Sequence, residues 1–276
     1  MTKQFQTGPS IYTFAISDII TIVRTVAIIQ ARLSSIRLPG KVMYPLDGTP
    51  VIKRIINRVQ QARTVDEIVV ATTTNAPDDL LAAVAREADA SVFRGSEPDV
   101  LGRLYEASEQ HNADTVVRIC ADSPLVDGHL VDKAVRKLTS DEYDYVSNKL
   151  ERTVPVGIDV EAFTKTSFET VEKKSTAPYE REHVTVYYRE SPKIFSCGRL
   201  DSSEIFGDPD LQNRTDLRVT LDEPEDYRLL NKIFVDLPTE SPTPAEALHY
   251  IDQAGLAEVN DSVKQKSIHD AAEEPN

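Results

Sequence analysis

A short cationic loop is the part of the sequence best suited to binding an anion. Residues 31–41 (ARLSSIRLPGK) follow a buried, strand-like run and contain Arg32, Arg37 and Lys41, in a chain whose formal net charge is −14. Small loop residues such as Ser34 let backbone N–H groups approach phosphate oxygens, which arginine and lysine side chains neutralise. The loop matches neither GxGxxG nor the Walker A pattern, so it predicts another kind of phosphate site. A solvated basic loop is the alternative.

Two aspartates directly follow strand-like runs at distant points of the chain. Asp122 follows TVVRIC in the string ADSP, and Asp222 follows LRVTL in the string DEPED. Because ligands bind beyond the carboxyl ends of parallel strands, we expect both carboxylates to converge near the cationic loop. One or two carboxylates with substrate phosphates are a typical Mg²⁺ site, so the set suits a nucleoside triphosphate with Mg²⁺. Each aspartate alone is also a good N-cap for the helix that follows it.

Other polar residues allow both a functional and a structural interpretation. Asp159 and Glu161 lie two positions apart in a predicted strand, so both are expected on one face, where they would bind sugar hydroxyls or face solvent. His183, in EREHVT on a predicted helix, is either a structural histidine or a substrate contact. We find no convincing Ser/His/Asp set, which fits direct displacement rather than a covalent intermediate.

The elements that must position these residues alternate between apolar strands and helices. Repeated strand–helix units with apolar strands predict a three-layer α/β/α, Rossmann-like fold with a mainly parallel sheet. Strands are expected at 25–31, 67–71, 91–93, 115–120, 143–147, 157–163, 193–198 and 217–221, and helices at 51–62, 77–88, 98–110, 128–138, 177–188, 224–234 and 244–254.

Composition narrows the class of protein. The chain has 276 residues, of which 40% are hydrophobic and 28% charged, as in ordinary soluble proteins. The net charge disfavours binding to nucleic acid or to anionic membranes. This acidity is either a solvated surface or an adaptation to a high-salt cytoplasm, and the excess of arginine over lysine leans towards the second. Cys120 and Cys197 are interpreted as buried free thiols, in keeping with a cytoplasmic location.

We predict one domain, residues 25–255, between two ends of different character. Residues 11–30 are apolar, but Asp18 and Arg24 interrupt them, which disfavours a membrane span. Residues 1–24 are interpreted as an N-terminal extension, partly disordered, and residues 256–276 as a polar tail that frays.

Seven strings occur in a characteristic order over about residues 25–235, namely ARLSSIRLPGK, VVATTTN, FRGSEPDVLGR, VRICADSPLVD, VPVGIDVEAF, EREHVT and LRVTLDEPED. Taken together, they resemble the cytidylyltransferase family, which includes the CMP-KDO and acylneuraminate cytidylyltransferases, and the resemblance is strongest to the spore-coat polysaccharide biosynthesis F branch. The resemblance implies a nucleotide-diphospho-sugar-transferase-like fold, Mg²⁺ as cofactor and a homodimer. It also implies transfer of CMP from CTP to a sugar or sugar acid, with release of pyrophosphate; GTP and UTP are the alternative donors.

The resemblance also implies a role for each matching residue. Arg32 and Lys41 would bind the triphosphate during catalysis, and Asp122 and Asp222 would bind Mg²⁺. Ser34 departs from the family, which usually has Gly there, and ADSP departs from the frequent GDCP. The remaining assignments are Ser34, Arg37, Thr72, Thr73, Ser96 and Arg103 to the nucleotide, and Gly157, Asp159, Glu161, Glu182 and His183 to the sugar.

Two other functions fit the same fold class. A glycosyltransferase that consumes a nucleotide sugar commonly has a DxD metal motif at a strand end, whereas this chain has ADSP, which disfavours it. A non-catalytic nucleotide-binding protein would not need the complete set of Arg32, Lys41, Asp122 and Asp222. The released product distinguishes the two enzymes, because a nucleotidyltransferase forms pyrophosphate and a glycosyltransferase forms a nucleoside diphosphate.

Overall fold

A mainly parallel sheet is the centre of the structure, as predicted. The computed structural model describes residues 23–239 and 241–264. The strands are β1 Thr25–Gln30, β2 Pro45–Leu46, β3 Thr49–Pro50, β4 Glu67–Thr73, β5 Ser91–Gly95, β6 Thr115–Cys120, β7 Tyr145–Ser147, β8 Glu161–Thr164 and β9 Cys197–Arg199. Within the described residues, seven strands form the sheet in the order β5-β4-β1-β6-β8-β7-β9, and β2 and β3 form a separate antiparallel pair. In the seven-stranded sheet, only β8 runs antiparallel to its neighbours.

Helices cover both faces of the sheet, which confirms the three-layer prediction. The helices are α1 Val51–Val59, α2 Asp78–Glu87, α3 Val100–Gln110, α4 Gly128–Ser140, α5 Lys165–Lys174, α6 Pro178–His183, α7 Val186–Glu190, α8 Ser202–Ile205, α9 Pro224–Asp236 and α10 Pro244–Gln253. In β1, Ala27 and Ile29 pack into a core with α1, α4 and α9, whereas Val26 and Ile28 pack on the opposite face with α3 and α5.

The prediction of a strand at residues 217–221 is wrong. The segment forms only an isolated bridge through Arg218. Its polar backbone groups are satisfied outside the sheet, because Asn260 Nδ2 donates to the Arg218 carbonyl at 3.0 Å and Leu221 N donates to the Asp122 carbonyl at 2.7 Å. The segment is therefore extended and anchored without belonging to a ladder.

The helix predicted at 177–188 is interrupted. It consists of α6 and α7, which are separated by Val184 with φ 59° and ψ −58°. A β-branched residue rarely adopts a positive φ. The next residue, Thr185, is fully buried and donates its hydroxyl to Glu161 Oε1 at 2.6 Å. A buried tertiary hydrogen bond thus accompanies the break, which helical periodicity did not reveal.

The strand predicted at 157–163 begins only at Glu161. Gly157 has φ 104°, and a Cβ on it would lie 2.3 Å from the backbone nitrogen of Thr220, so this close approach requires glycine. Asp159 precedes the strand and pairs with Arg152 at 2.6 Å. The predicted shared strand face of Asp159 and Glu161 is therefore wrong. The strand predicted at 193–198 likewise shortens to β9.

The segment 256–264, assigned to a fraying tail from the sequence, contacts the domain instead. Leu256 packs against the core, and Asn260 is 2% exposed. Residues 1–22 of the predicted extension and 265–276 of the predicted tail lie outside the described residues. Among the helices that the structure describes, none has the length and apolar character needed to cross a bilayer.

Candidate functional site

A cavity of about 310 Å³ lies at the carboxyl ends of β1 and β6, whose last residues, Gln30 and Cys120, form part of its wall. This is the edge where ligands bind in open parallel sheets. Both cysteines are free, and Cys120 is half-buried. The structure gathers four predicted cations and two predicted carboxylates around this cavity: Arg32, Arg37, Lys41, Arg103, Asp122 and Asp222.

Lys41 lies between the two aspartates. Its Nζ is 3.1 Å from Asp122 Oδ2 and 2.7 Å from Asp222 Oδ1. Lys41 opens a short 3₁₀ helix directly after Gly40, whose φ of 71° suits glycine. The structure thus brings together two carboxylates and a loop lysine that are far apart in the sequence.

The charged groups of this cluster stabilise one another in their charged forms. Burial alone would lower the pKa of Lys41, but the adjacent carboxylates outweigh it and the pKa lies above its ordinary value. Burial alone would raise the pKa of Asp222, but Lys41, Arg37 and Arg218 outweigh it and the pKa lies below its ordinary value. Lys41 and Asp222 are therefore both charged at neutral pH.

Asp222 is held in position by hydrogen bonds and not by a place at the end of a strand. Thr220 Oγ1 donates to the Asp122 carbonyl at 3.1 Å, next to the Leu221 contact described above. Arg218 Nη2 donates to Asp222 Oδ2 at 2.9 Å, and Arg37 Nη2 lies 3.1 Å from Asp222 Oδ1. One carboxylate oxygen therefore faces Arg218, while the other faces the cationic loop.

The aspartate pair suits a divalent cation, because its two oxygens already enclose a cationic nitrogen. Within the described residues, no group of three or more His, Cys, Asp or Glu side chains is arranged to hold a metal ion. A metal ion bound by Asp122 and Asp222 would therefore take its other ligands from water and from substrate phosphates, as Mg²⁺ commonly does.

Two acids that the sequence analysis did not assign to the site anchor the cationic loop. Glu97 accepts hydrogen bonds from the Ser34 hydroxyl and, at 3.5 Å, from Arg32 Nη1. Asp78 accepts from the Leu33 amide at 2.9 Å. Asp78 lies in the first turn of the helix predicted at 77–88. Glu97 lies in the segment 94–103, which the family resemblance assigns to the nucleotide pocket, but its contact with Ser34 spans 63 residues and has no local signal in the sequence.

Arg103 is a buried cation at the cavity wall. It is 1% exposed, and its Nη1 donates to the carbonyls of Ser96 and Glu97. Within the described residues its Nε has no hydrogen-bond partner. Burial, together with the nearby charge of Arg32, lowers its pKa to about 10. An anion in the cavity would stabilise this guanidinium.

Other residues predicted to contact the nucleotide do not line this cavity. Thr72 and Thr73 are buried at the end of β4, and both hydroxyls donate to Asp78 Oδ2. The Ser96 hydroxyl accepts a hydrogen bond from the Asp99 amide at 3.2 Å. Their contact with a nucleotide stays a prediction.

Glu161, predicted to contact the sugar, is the centre of a buried polar network. Its Oε2 pairs with Arg118 Nη1 at 2.5 Å, and its Oε1 accepts from Tyr145 Oη and Thr185 Oγ1, both at 2.6 Å. Burial alone would raise the pKa of Glu161, but Lys149 and Arg118 outweigh it and the pKa lies far below its ordinary value. The protein itself thus occupies both oxygens of this carboxylate.

Replacing Glu161 by Gln is expected to destabilise the fold by about 3 kcal/mol, because Arg118 would stay buried without its partner. The pKa of Glu161 is depressed in the folded state, so its contribution is full above the unfolded value of about 4.3 and is lost as the pH falls further. Urea unfolding from about pH 3 to pH 7 should show the gap between wild type and variant closing at the acid end. A gap independent of pH would contradict this account, and Glu182→Gln, at an exposed position, is the control.

The remaining residues assigned to the sugar lie outside the cavity lining. His183 is half-buried, and its Nε2 has no hydrogen-bond partner within the described part of the chain. Burial lowers the pKa of His183, and this effect outweighs the opposing charge of Glu182. A neutral imidazole with a free ring nitrogen can bind a hydroxyl group, so the assignment stays a prediction.

Known proteins are similar to this chain over most of its length. An uncharacterized protein of Methanocaldococcus jannaschii is 32% identical over 251 residues, which is 91% of this chain and 100% of that protein. The spore coat polysaccharide biosynthesis protein SpsF of Bacillus subtilis is 31% identical over 214 residues, 75% of this chain and 85% of that protein. A cytidylyltransferase structure from Leptospira borgpetersenii has a TM-score of 0.80 at 27% identity, covering 88% of this chain and 100% of that one. The cytidylyltransferase family model matches residues 26–268, so the chain belongs to this family, as its motifs predicted.

Proposed function

We propose that the protein is a Mg²⁺-dependent sugar nucleotidyltransferase that transfers CMP from CTP to a sugar or sugar acid and releases pyrophosphate. The observation that carries the proposal is the meeting of Lys41, Asp122 and Asp222 at the cavity beyond β1 and β6. Family membership supports CTP as the donor. Similarity to a spore coat polysaccharide biosynthesis protein supports a role in making activated sugars for surface polysaccharides.

The reaction would be an in-line displacement at the α-phosphorus of the nucleotide. A bond forms between an acceptor oxygen and the α-phosphorus, and the bond to the bridging oxygen breaks, with its electron pair leaving on pyrophosphate. Arg32, Arg37 and Lys41 would neutralise the triphosphate and the charge that develops on the leaving group. A proton of the acceptor hydroxyl would pass to water or to Asp122, which borders the cavity.

Asp122 and Asp222 would hold the metal ion that accompanies the nucleotide. Bound Mg²⁺ would supply charge neutralisation at the phosphate oxygens. The protein contributes mainly position and fixed charge, and Arg218 and the 3₁₀ helix at Lys41 hold these groups in place before substrate binds. By family resemblance, we further propose a homodimer in the cytoplasm, and light scattering on the purified protein tests its stoichiometry.

CTP with Mg²⁺ is expected to raise the melting temperature of the protein. A ligand at about a hundred times its dissociation constant adds roughly 2.7 kcal/mol, which corresponds to about 5–10 °C for a domain of this size. Differential scanning fluorimetry with CTP, GTP, UTP and ATP, each with and without Mg²⁺, identifies the donor. If no nucleotide shifts the melting temperature, the proposed function loses its basis. Release of a nucleoside diphosphate from a nucleotide sugar would favour a glycosyltransferase instead.

A further inference from the structure

A buried carboxylate, Asp226, connects the C-terminal segment with the proposed metal-binding pair. Asp226 is fully buried in the first turn of α9. It accepts hydrogen bonds from Asn260 Nδ2 at 2.8 Å, from Arg218 Nε at 3.0 Å and Nη2 at 3.1 Å, and from the amides of Asp222 and Glu223, both at 2.9 Å. Asn260 also donates to the Arg218 carbonyl at 3.0 Å. Asn260 therefore holds both members of the Arg218–Asp226 pair.

Arg218 contacts both Asp226 and Asp222, so the position of Asp226 affects that of Asp222. Two contacts with one carboxylate fix the plane of a guanidinium group. With that plane fixed, Arg218 Nη2 meets Asp222 Oδ2 at 2.9 Å, and Asp222 Oδ1 faces Lys41 at 2.7 Å. The direction in which Asp222 presents Oδ1 to the cationic loop thus depends on the Arg218–Asp226 pair.

Without Asn260, this arrangement would lose a buried hydrogen-bond donor. Asp226 is fully buried, so removal of the Asn260 amide leaves one of its oxygens short of a hydrogen bond. The Arg218 carbonyl would lose its partner at the same time. Asp226 would keep its bonds to Arg218 and to two amides, but the Arg218–Asp226 pair would be less firmly fixed, and with it the orientation of Asp222.

We propose that Asn260 is a positioning residue of the site, which orients the Asp222 carboxylate through Arg218 and Asp226. The proposal rests on the proposed function. It makes the segment around Asn260 part of the nucleotidyltransferase site, and the family match to residue 268 includes this segment. Loss of a direct partner of a ligating carboxylate, which here is Arg218, typically costs about 10–100-fold in metal affinity or activity, so a residue one contact further out is expected at the lower end of this range.

The test compares Asn260→Ala with the isosteric Asn260→Asp, using Asp261→Ala at the exposed neighbouring position as control. Calorimetry measures Mn²⁺ affinity in the presence of CTP, and pyrophosphate release measures the Mg²⁺ concentration for half-maximal rate. Asn260→Ala is expected to weaken Mn²⁺ binding and raise the required Mg²⁺ concentration about 10-fold. Asn260→Asp is expected to be worse, because its carboxylate would face Asp226. The control is expected to match wild type.

A packing role for Asn260 predicts the reverse order, with the isosteric Asn260→Asp nearer to wild type. That order, or a lower melting temperature with unchanged metal dependence, would overturn the proposal. If wild-type protein binds Mn²⁺ with CTP but releases no pyrophosphate from any sugar, the transferase assignment fails while the binding constants still decide the role of Asn260. If wild-type protein binds no metal ion, both fail.

Discussion

Asp222→Ala is expected to lower kcat/KM for CTP by on the order of 10³-fold, while the protein stays folded. Asp222 carries one of the two carboxylates that would hold Mg²⁺, and its Oδ1 also fixes Lys41 at 2.7 Å. Its removal would leave Asp122 as the one carboxylate among the described residues of the cavity lining, opposite four cations, so neither the metal ion nor the triphosphate would be held in position. Asp122→Ala is expected to have an effect of similar size.

Stability and activity must be separated in this comparison. Arg218 keeps Asp226 as a partner in Asp222→Ala, so the surrounding fold retains its buried ion pair. Pyrophosphate release, melting temperature and circular dichroism should be measured for both variants, with Asp261→Ala as an exposed control. Turnover at the wild-type rate in both Asp222→Ala and Asp122→Ala would refute the metal assignment.

The sequence predicted the centre of the site because its signals are local. The cationic loop follows one clearly apolar strand, and Asp122 follows another. Because the carboxyl ends of parallel strands lie at the same edge of a sheet, Lys41 and Asp122 are expected close together. Asp222 reached the predicted place for a different reason. Its segment forms no strand, and hydrogen bonds from Leu221 and Thr220 to the Asp122 carbonyl bring it there.

Contacts between residues distant in sequence could not be predicted in this way. Glu97 reaches Ser34 across 63 positions, and Asn260 reaches Asp226 across 34. Nothing in a polar segment near the C-terminus distinguishes an asparagine with a buried partner from one in solvent. Glu161 shows the same limit, because its acidic side chain suggested a ligand contact or an exposed face, and burial beside Arg118 appears only in the structure.

The position of Lys41 also bears on how the substrate enters. In the structure its ammonium group lies where the two carboxylates would hold a metal ion, at 3.1 Å from Asp122 and 2.7 Å from Asp222. The proposed mechanism needs the same ammonium on the triphosphate. Nucleotide binding would therefore draw Lys41 away from the carboxylates and open the pair to Mg²⁺, so metal and nucleotide should each strengthen the binding of the other.

Lys41→Met is accordingly expected to change activity and metal binding in opposite directions. Pyrophosphate release should fall by about 10²–10³-fold, because a cation that stabilises the leaving group is lost. Affinity for Mn²⁺ without nucleotide, measured by calorimetry, should rise about 10-fold, because two facing carboxylates lose the positive charge that neutralises them. Lys41→Arg keeps that charge but changes its geometry, so it should lose activity without gaining metal affinity. If Lys41→Met binds Mn²⁺ no more tightly than wild type, Lys41 does not compete with the metal ion, and the coupling between nucleotide and metal must arise elsewhere.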